Sequence, residues 1–113
     1  MIGDIMIKSH DTYVYVTTAL HEGSCLSKVG ITNNPRKRLN EFNNGVKYRH
    51  NHKDYPVFEE FYKTAVDSRF VAIQIERETI KKLSNFKNSF YGREVFNIEP
   101  HKIVNKIKGM VAK

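Results

Sequence analysis

The chain has 113 residues, enough for one domain with a core of its own. Hydrophobic residues make up 40% and aromatic residues 12%, which excludes a disordered chain. Lys and Arg total 19 against 12 Asp and Glu, and the resulting charge of +7 favours a polyanionic partner. The single cysteine, Cys25, excludes an intrachain disulfide and a four-cysteine zinc site, and it suits a reducing compartment.

The N-terminal residues 1–9 hold only a short apolar run, which Asp4 and Lys8 interrupt. This is not the pattern of a signal peptide, and no stretch of the chain reaches the length of a membrane-spanning helix. The sequence therefore predicts a cytoplasmic protein without membrane association.

Residues 13–18 are β-branched and aromatic and predict a strand. A turn at 22–24 leads into a second predicted strand over 25–31, antiparallel to the first because the connection is short. Asn34 and Pro35 then have the cap and first-turn preferences of a helix start. We expect this helix to end near Asn44, where Gly45 would stop it.

The rest of the chain predicts a polar basic loop, a third strand, a long helix capped by Asp67, an irregular stretch, a short extended segment and a last helix. The order β-β-α-β-α-α predicts an α/β (α+β) fold with a small three-stranded, largely antiparallel sheet flanked by helices. One domain spans 1–113, with its core over about 13–98. In chain order, the loop covers 45–55, the third strand 57–64, the long helix 67–83, the irregular stretch 85–92, the extended segment 94–98 and the last helix 100–111.

Glu76 falls within an apolar stripe of the helix predicted over 67–83. A carboxylate held toward a core is costly unless it is paired or bound to a cation. Two interpretations follow: a single-carboxylate ligand for Mg²⁺, or an ion pair with Arg69 or Arg38. The apolar members of the stripe are Ala72, Ile73, Ile80 and Leu83.

Four clusters follow one another along the chain: Tyr13-Val14-Tyr15, Lys28-Val29-Gly30, Arg38 and Glu76. In this order they resemble the motifs of the GIY-YIG nuclease superfamily, in the branch whose second motif reads Lys-hydrophobic-Gly. The resemblance covers about residues 13–97 and implies a metal-dependent endonuclease that hydrolyses DNA phosphodiesters with one Mg²⁺ or Mn²⁺ ion. It implies that Glu76 binds the metal and that Arg38 clamps the phosphate.

Arg38 borders the apolar edge that Leu39 and Phe42 give its helix, which argues against free solvation. Its guanidinium can hold two phosphate oxygens and is always charged. The alternative is an ordinary solvated arginine in the basic run of Arg36 and Lys37.

Tyr15 matches the tyrosine of the first motif, and Tyr13 lies on the same face of the strand. A phenol with a pKa of about 10 needs nearby positive charge to deprotonate water, and the hairpin brings Lys28 beside Tyr15. Core packing is the alternative for both tyrosines. Gly30 would let a backbone or phosphate approach closely. Because Lys28 replaces a tyrosine of the superfamily, the identity of the base stays open.

Near the end of the domain, Asn97 lies where some members carry a functional asparagine, and Glu94 belongs to a Glu-aromatic segment common there. Either could instead cap a turn or the next helix. The loop over 45–55 is expected to contact phosphates, its alternative being a solvated surface. The expected DNA-binding residues are Gly30, Arg36, Lys37, Lys47, Arg49, His50 and Lys53.

The replacement at Lys28 also supports a second hypothesis, a nucleic-acid-binding or regulatory module on the same fold that no longer cuts. A basic protein–protein adaptor is a third. For a nuclease this small, specificity would require a homodimer, loop contacts or a missing part of a longer protein. By analogy, small nucleases of this kind suggest phage or mobile DNA.

Overall fold

The computed structural model describes residues 12–51 and 54–111. Its centre is an antiparallel sheet of four strands in the order β3-β1-β2-β4. This confirms the predicted fold class with one more strand than expected, because two residues of the late extended segment pair with Ser27 and Lys28. The strands are β1 (Thr12–His21), β2 (Ser24–Thr32), β3 (Glu59–Val66) and β4 (Val95–Phe96).

A two-residue turn joins β1 to β2. His21 pairs with Ser24, and the two residues between them, Glu22 and Gly23, have φ angles of 51° and 79°. Positive φ at both turn positions matches the right-handed twist of a hairpin, and glycine adopts it without strain. The predicted antiparallel hairpin is therefore confirmed, and it places Tyr15 directly opposite Gly30.

Three α-helices flank the sheet: α1 (Pro35–His50), α2 (Arg69–Lys82) and α3 (Pro100–Val111), with a 3₁₀ helix at Ser84–Phe86. The Asn34 side chain accepts a hydrogen bond from the Lys37 amide, so the predicted start of α1 is confirmed. The cap of α2 is Ser68, which accepts from the Val71 amide, one residue later than the expected Asp67.

Helix α1 does not stop at Gly45, so the loop predicted over 45–55 is wrong for residues 45–50. A glycine inside a helix costs only about 1 kcal/mol, and the next residue, Val46, is fully buried. Burial of that side chain outweighs the weak stop signal. Within the described residues, no helix is both long and apolar enough to cross a bilayer.

The main core lies on the face of the sheet that α2 and α3 cover. Val14, Val16 and Val29 supply the strand side of this core, with no exposed surface. Since side chains alternate along a strand, Tyr15 and Thr17 belong to the opposite face. That face carries a smaller apolar cluster at one end, formed by Ala19, Leu26, Phe58 and Val95 with Leu39, Phe42 and Tyr91 packed against it.

Candidate functional site

A buried lysine lies at the centre of the second face of the sheet. Lys28 on β2 is only 3% exposed, and its Nζ lies 3.4 Å from Oε1 of Glu94 and 4.9 Å from the centre of the Phe42 ring. Burial lowers the pKa of Lys28, while the negative charge of Glu94 opposes that shift. The backbone holds the pair in place, because the Val29 amide donates to the Glu94 carbonyl.

Tyr15 packs over Gly30. Tyr15 is 2% exposed, and a Cβ built on Gly30 would overlap the hydroxyl and ring of Tyr15. The glycine therefore makes room for the tyrosine, rather than for a backbone or phosphate as the sequence suggested. Burial raises the pKa of Tyr15 to about 12. The positive charge of Arg38 lowers this pKa, whereas the negative charges of Glu94 and Glu76 raise it. Arg38 thus favours an ionised phenol, and Nζ of Lys28 lies 5.7 Å from the centre of the Tyr15 ring, so the expected help from Lys28 stays a prediction.

Arg38 lies in the first turns of α1 and is more exposed than the sequence led us to expect. Its side chain is 45% exposed, and Nη1 lies 3.8 Å from Oε1 of Glu41. A pair at that distance and exposure is weak. The charge of Arg38 nevertheless lowers the pKa of both Tyr15 and Lys28, and Arg38 lines the same cavity as Lys28.

Glu76 lies at the border of the buried face of α2, half-buried, rather than inside its apolar stripe. Burial and the charge of Glu94 raise its pKa, while Lys28, Arg69 and Arg77 lower it. Among the described residues, no cation lies within 4.0 Å of its carboxylate, so neither ion pair considered from the sequence is formed there. The buried positions of α2 are Ala72, Ile75 and Thr79, followed by Leu83.

The two neighbouring carboxylates, Glu76 and Glu94, fit a divalent cation by their chemistry. The negative charge of Glu94 raises the pKa of Glu76, and a bound cation would relieve that repulsion. Residues 12–51 and 54–111 contain no group of three His, Cys, Asp or Glu residues arranged for a metal. Mg²⁺ is commonly bound through one or two carboxylates and completes its shell with water and substrate phosphate. Glu76 would be the ligand, with Glu94 as its neighbour.

An open cavity of about 420 Å³ lies above Lys28 and Glu94. Its walls come from β2, α1 and the segment before β4. Four cationic side chains line it against two acidic ones, so the cavity favours an anion such as a phosphate. The cations are Lys28, Arg38, Arg49 and Arg93, and the acids are Glu41 and Glu94.

Of the predicted catalytic residues, Lys28 and Arg38 line this cavity, whereas Tyr15 and Glu76 do not line it and Tyr13 and Asn97 lie elsewhere on the fold. Tyr13 is half-buried on β1, between Thr32 and Ala65 in the sheet. Asn97 is exposed, and its Oδ1 accepts a hydrogen bond from Nδ2 of Asn88. It lines a separate cavity near Cys25, so the structure does not bring it to the side chains around Lys28.

The expected DNA-binding residues divide into three groups. Arg36, Lys37 and Lys47 are exposed on α1, as a phosphate contact requires. Arg49 lines the cavity and donates from Nη2 to the Tyr91 carbonyl at 3.0 Å. The third group consists of His50 and Lys53.

His50 is packed between aromatic rings rather than presented to solvent. Its ring centre lies 4.9 Å from that of Phe90 and 5.2 Å from that of Tyr91, and its Nε2 atom is buried. Helix α1 continues to His50 and places its half-buried ring against the aromatic pair, and the expected phosphate contact by His50 stays a prediction. Lys53 lies outside the described residues.

No functional role was predicted for the segment 89–93, yet it forms one wall of the cavity. Gly92 allows this approach, since a Cβ there would lie 2.9 Å from a ring carbon of Phe42. The available signal was a run of aromatic, glycine and arginine residues in a stretch without a helical or strand pattern. Phe90 and Arg93 are the residues that reasoning from the sequence missed.

The fold is a small α+β domain in which an antiparallel sheet carries a basic cavity lined by a buried lysine and three arginines. In agreement with this, residues 12–111 match the T5orf172 domain, and the chain belongs to this family. The T5orf172 domain is nuclease-like and is often associated with endonucleases of the GIY-YIG and HNH types. Neither the curated proteins nor the solved structures include a match to the chain.

Proposed function

We propose that this protein is a divalent-metal-dependent endonuclease that hydrolyses DNA phosphodiester bonds at a GIY-YIG-type site. The observation that carries the proposal is the basic cavity lined by Lys28, Arg38 and Glu94, with the charges of Arg38 and Glu76 acting on the buried phenol of Tyr15. Arg38 and Glu76 act on the pKa of Tyr15 with opposite sign, so the tyrosine lies within the electrostatic reach of both. A base, a charge clamp and a metal ligand are the groups that phosphodiester hydrolysis needs.

In this mechanism the scissile phosphate lies at the cavity, and the Arg38 guanidinium holds its non-bridging oxygens. In its ionised form the Tyr15 phenol, next to Lys28, orients a water molecule and takes its proton. The water oxygen bonds to phosphorus as the bond to the leaving sugar oxygen breaks, and that oxygen takes a proton from solvent. Mg²⁺ or Mn²⁺, when bound by Glu76, would supply neutralisation of the charge that develops on the phosphate.

The raised pKa of Tyr15 means that this residue needs additional positive charge nearby to act as the base. At about 12, the phenol is protonated near neutral pH, so general-base action requires positive charge beyond that of Arg38. Lys28 contributes little, because Glu94 is its ion-pair partner at 3.4 Å. The cation at Glu76 would supply the missing charge, which links base and metal in one site.

Plasmid DNA incubated with the protein, with and without Mg²⁺, tests the proposal. We expect wild-type protein to nick or linearise the plasmid only with metal. Glu76→Gln should lower the rate by at least about 10²-fold, the loss typical of removing a group that stabilises the transition state. The matched control is Glu78→Gln on the exposed side of the same helix, which should cut normally. Normal cutting by Glu76→Gln would remove Glu76 from the mechanism.

The second candidate is a nucleic-acid-binding module that does not cut. The nearly complete burial of Tyr15 favours it, because a hydroxyl with 2% exposure has little access to water. DNA binding by wild-type protein without cleavage under any metal would establish this alternative.

A further inference from the structure

We propose that Phe90 is a stacking platform for an unpaired DNA base next to the scissile phosphate, so that the substrate is DNA with single-stranded character. This inference rests on the proposed function of the cavity and specifies its substrate. It starts from an exposed aromatic side chain at a strongly basic opening.

Phe90 keeps 62% of its surface exposed although it lines the same cavity as Lys28 and Arg38. A single exposed aromatic residue is common on protein surfaces. This one differs because its ring is held by other rings. The centre of His50 lies 4.9 Å away at an interplanar angle of 42°, and that of Tyr91 lies 4.8 Å away in an edge-to-face arrangement.

The support beneath Phe90 is fixed to the rest of the fold. Arg49 on α1 donates to the Tyr91 carbonyl, and Tyr91 also packs edge-to-face with His21 at the end of β1. The Phe90 amide donates to Oδ1 of Asn88. A ring held in this way is pre-organised, so binding a ligand there orders little further structure.

The charges around Phe90 indicate which ligand the platform fits. Arg38, Arg49 and Arg93 line the same cavity, so an aromatic ring and three guanidinium groups lie together. Aromatic rings beside a basic groove are how proteins bind single strands: bases stack on the rings while the cations follow the phosphates. In a duplex the base faces are covered by their neighbours. Only an unpaired or frayed base can use this platform.

Binding experiments without divalent metal test the inference separately from cleavage. The probes are a blunt 20-base-pair duplex and the same duplex carrying a five-nucleotide single-stranded flap, with affinity measured by fluorescence anisotropy in EDTA. Stacking of one base is worth about 1–3 kcal/mol, so wild-type protein should prefer the flap by about tenfold. Phe90→Leu should lose this preference, and Phe90→Tyr should retain it.

Phe70→Leu is the matched control. Phe70 is 69% exposed and lies on α2 beside a different cavity, so its replacement should leave the preference unchanged. Equal affinity of wild-type protein for the two probes, or a preference that persists in Phe90→Leu, would overturn the platform, as would failure to bind either probe. If DNA is bound with the expected preference but never cut, the platform stands and the endonuclease proposal fails.

Discussion

The two faces of the sheet use the same strands for opposite purposes. Val14, Val16 and Val29 lie in an apolar core, and across residues 12–51 and 54–111 the one buried charged side chain, Lys28, lies on the other face. One residue along, Tyr15 and Lys28 are buried just as deeply, but with raised and lowered pKa values respectively. The first face therefore gives the domain its stability, whereas the second keeps ionisable groups in an environment that disfavours their charged forms. Such an arrangement is typical of functional sites.

The largest effect should come from the apolar face. Phe96 on β4 is fully buried in that core, so Phe96→Ala should lower the free energy of unfolding by about 3–5 kcal/mol. Urea unfolding followed by circular dichroism measures this loss. A loss below about 1 kcal/mol would mean that the core is not where the stability of the domain lies.

Removing a charge at the border of the apolar core should have the opposite effect on stability. The raised pKa of Glu76 means that the folded state disfavours its ionised form, so Glu76→Gln without metal should melt at a higher temperature than wild type at pH 7. Mg²⁺ at 100 times its dissociation constant should stabilise wild-type protein by about 2.7 kcal/mol and Glu76→Gln hardly at all. Thermal melts with EDTA and with Mg²⁺ measure both differences. Equal stabilisation of the two proteins would contradict the metal assignment.

The smallest effect concerns Tyr15 at high pH. Its pKa is about 12 in the folded protein and about 10 in the unfolded chain, so its stabilising contribution is complete below pH 10 and is lost as pH rises toward 12. At pH 11 wild-type protein should have lost about 1 kcal/mol more stability, relative to pH 8, than Tyr15→Phe. Unfolding curves at both pH values give this difference. Parallel losses in the two proteins would show that the phenol is not shielded as described.

Local signals were enough to predict the hairpin and the start of α1. Alternating β-branched and aromatic residues around a two-residue turn define β1 and β2 without help from the rest of the chain. The cap at Asn34 acts on the amide of Lys37, three residues away. Interactions of this range can be inferred from a sequence directly.

The orientation of α2 was harder to predict, because Thr79 is fully buried. Its hydroxyl donates to the Ile75 carbonyl at 2.8 Å, so the helix itself satisfies this polar group. A pattern of apolar residues does not count a threonine as buried. It therefore assigned the buried face to Ile73 and Ile80, which are half-buried. That small rotation is why Glu76 lies at the border of the core rather than inside it.

The part of the site that depends on distant pairing could not be predicted. Glu94 owes its place beside Lys28 to strand β4, which has only two residues and no periodicity to detect. The wall formed by Phe90 and Gly92 likewise depends on contacts with α1, such as that between Gly92 and Phe42. Such contacts follow from the complete fold rather than from any window of the sequence.

The distance along the chain between Lys28 and Glu94 has a consequence for folding. The hydrogen bond between them joins residues 66 positions apart, and the Val29 amide closes a loop of similar length onto the Glu94 carbonyl. Loops this long close late, after local elements have formed. The hairpin can therefore exist before its acidic partner arrives, and partial opening of the C-terminal third would dismantle the charged cluster while β1 and β2 remain paired.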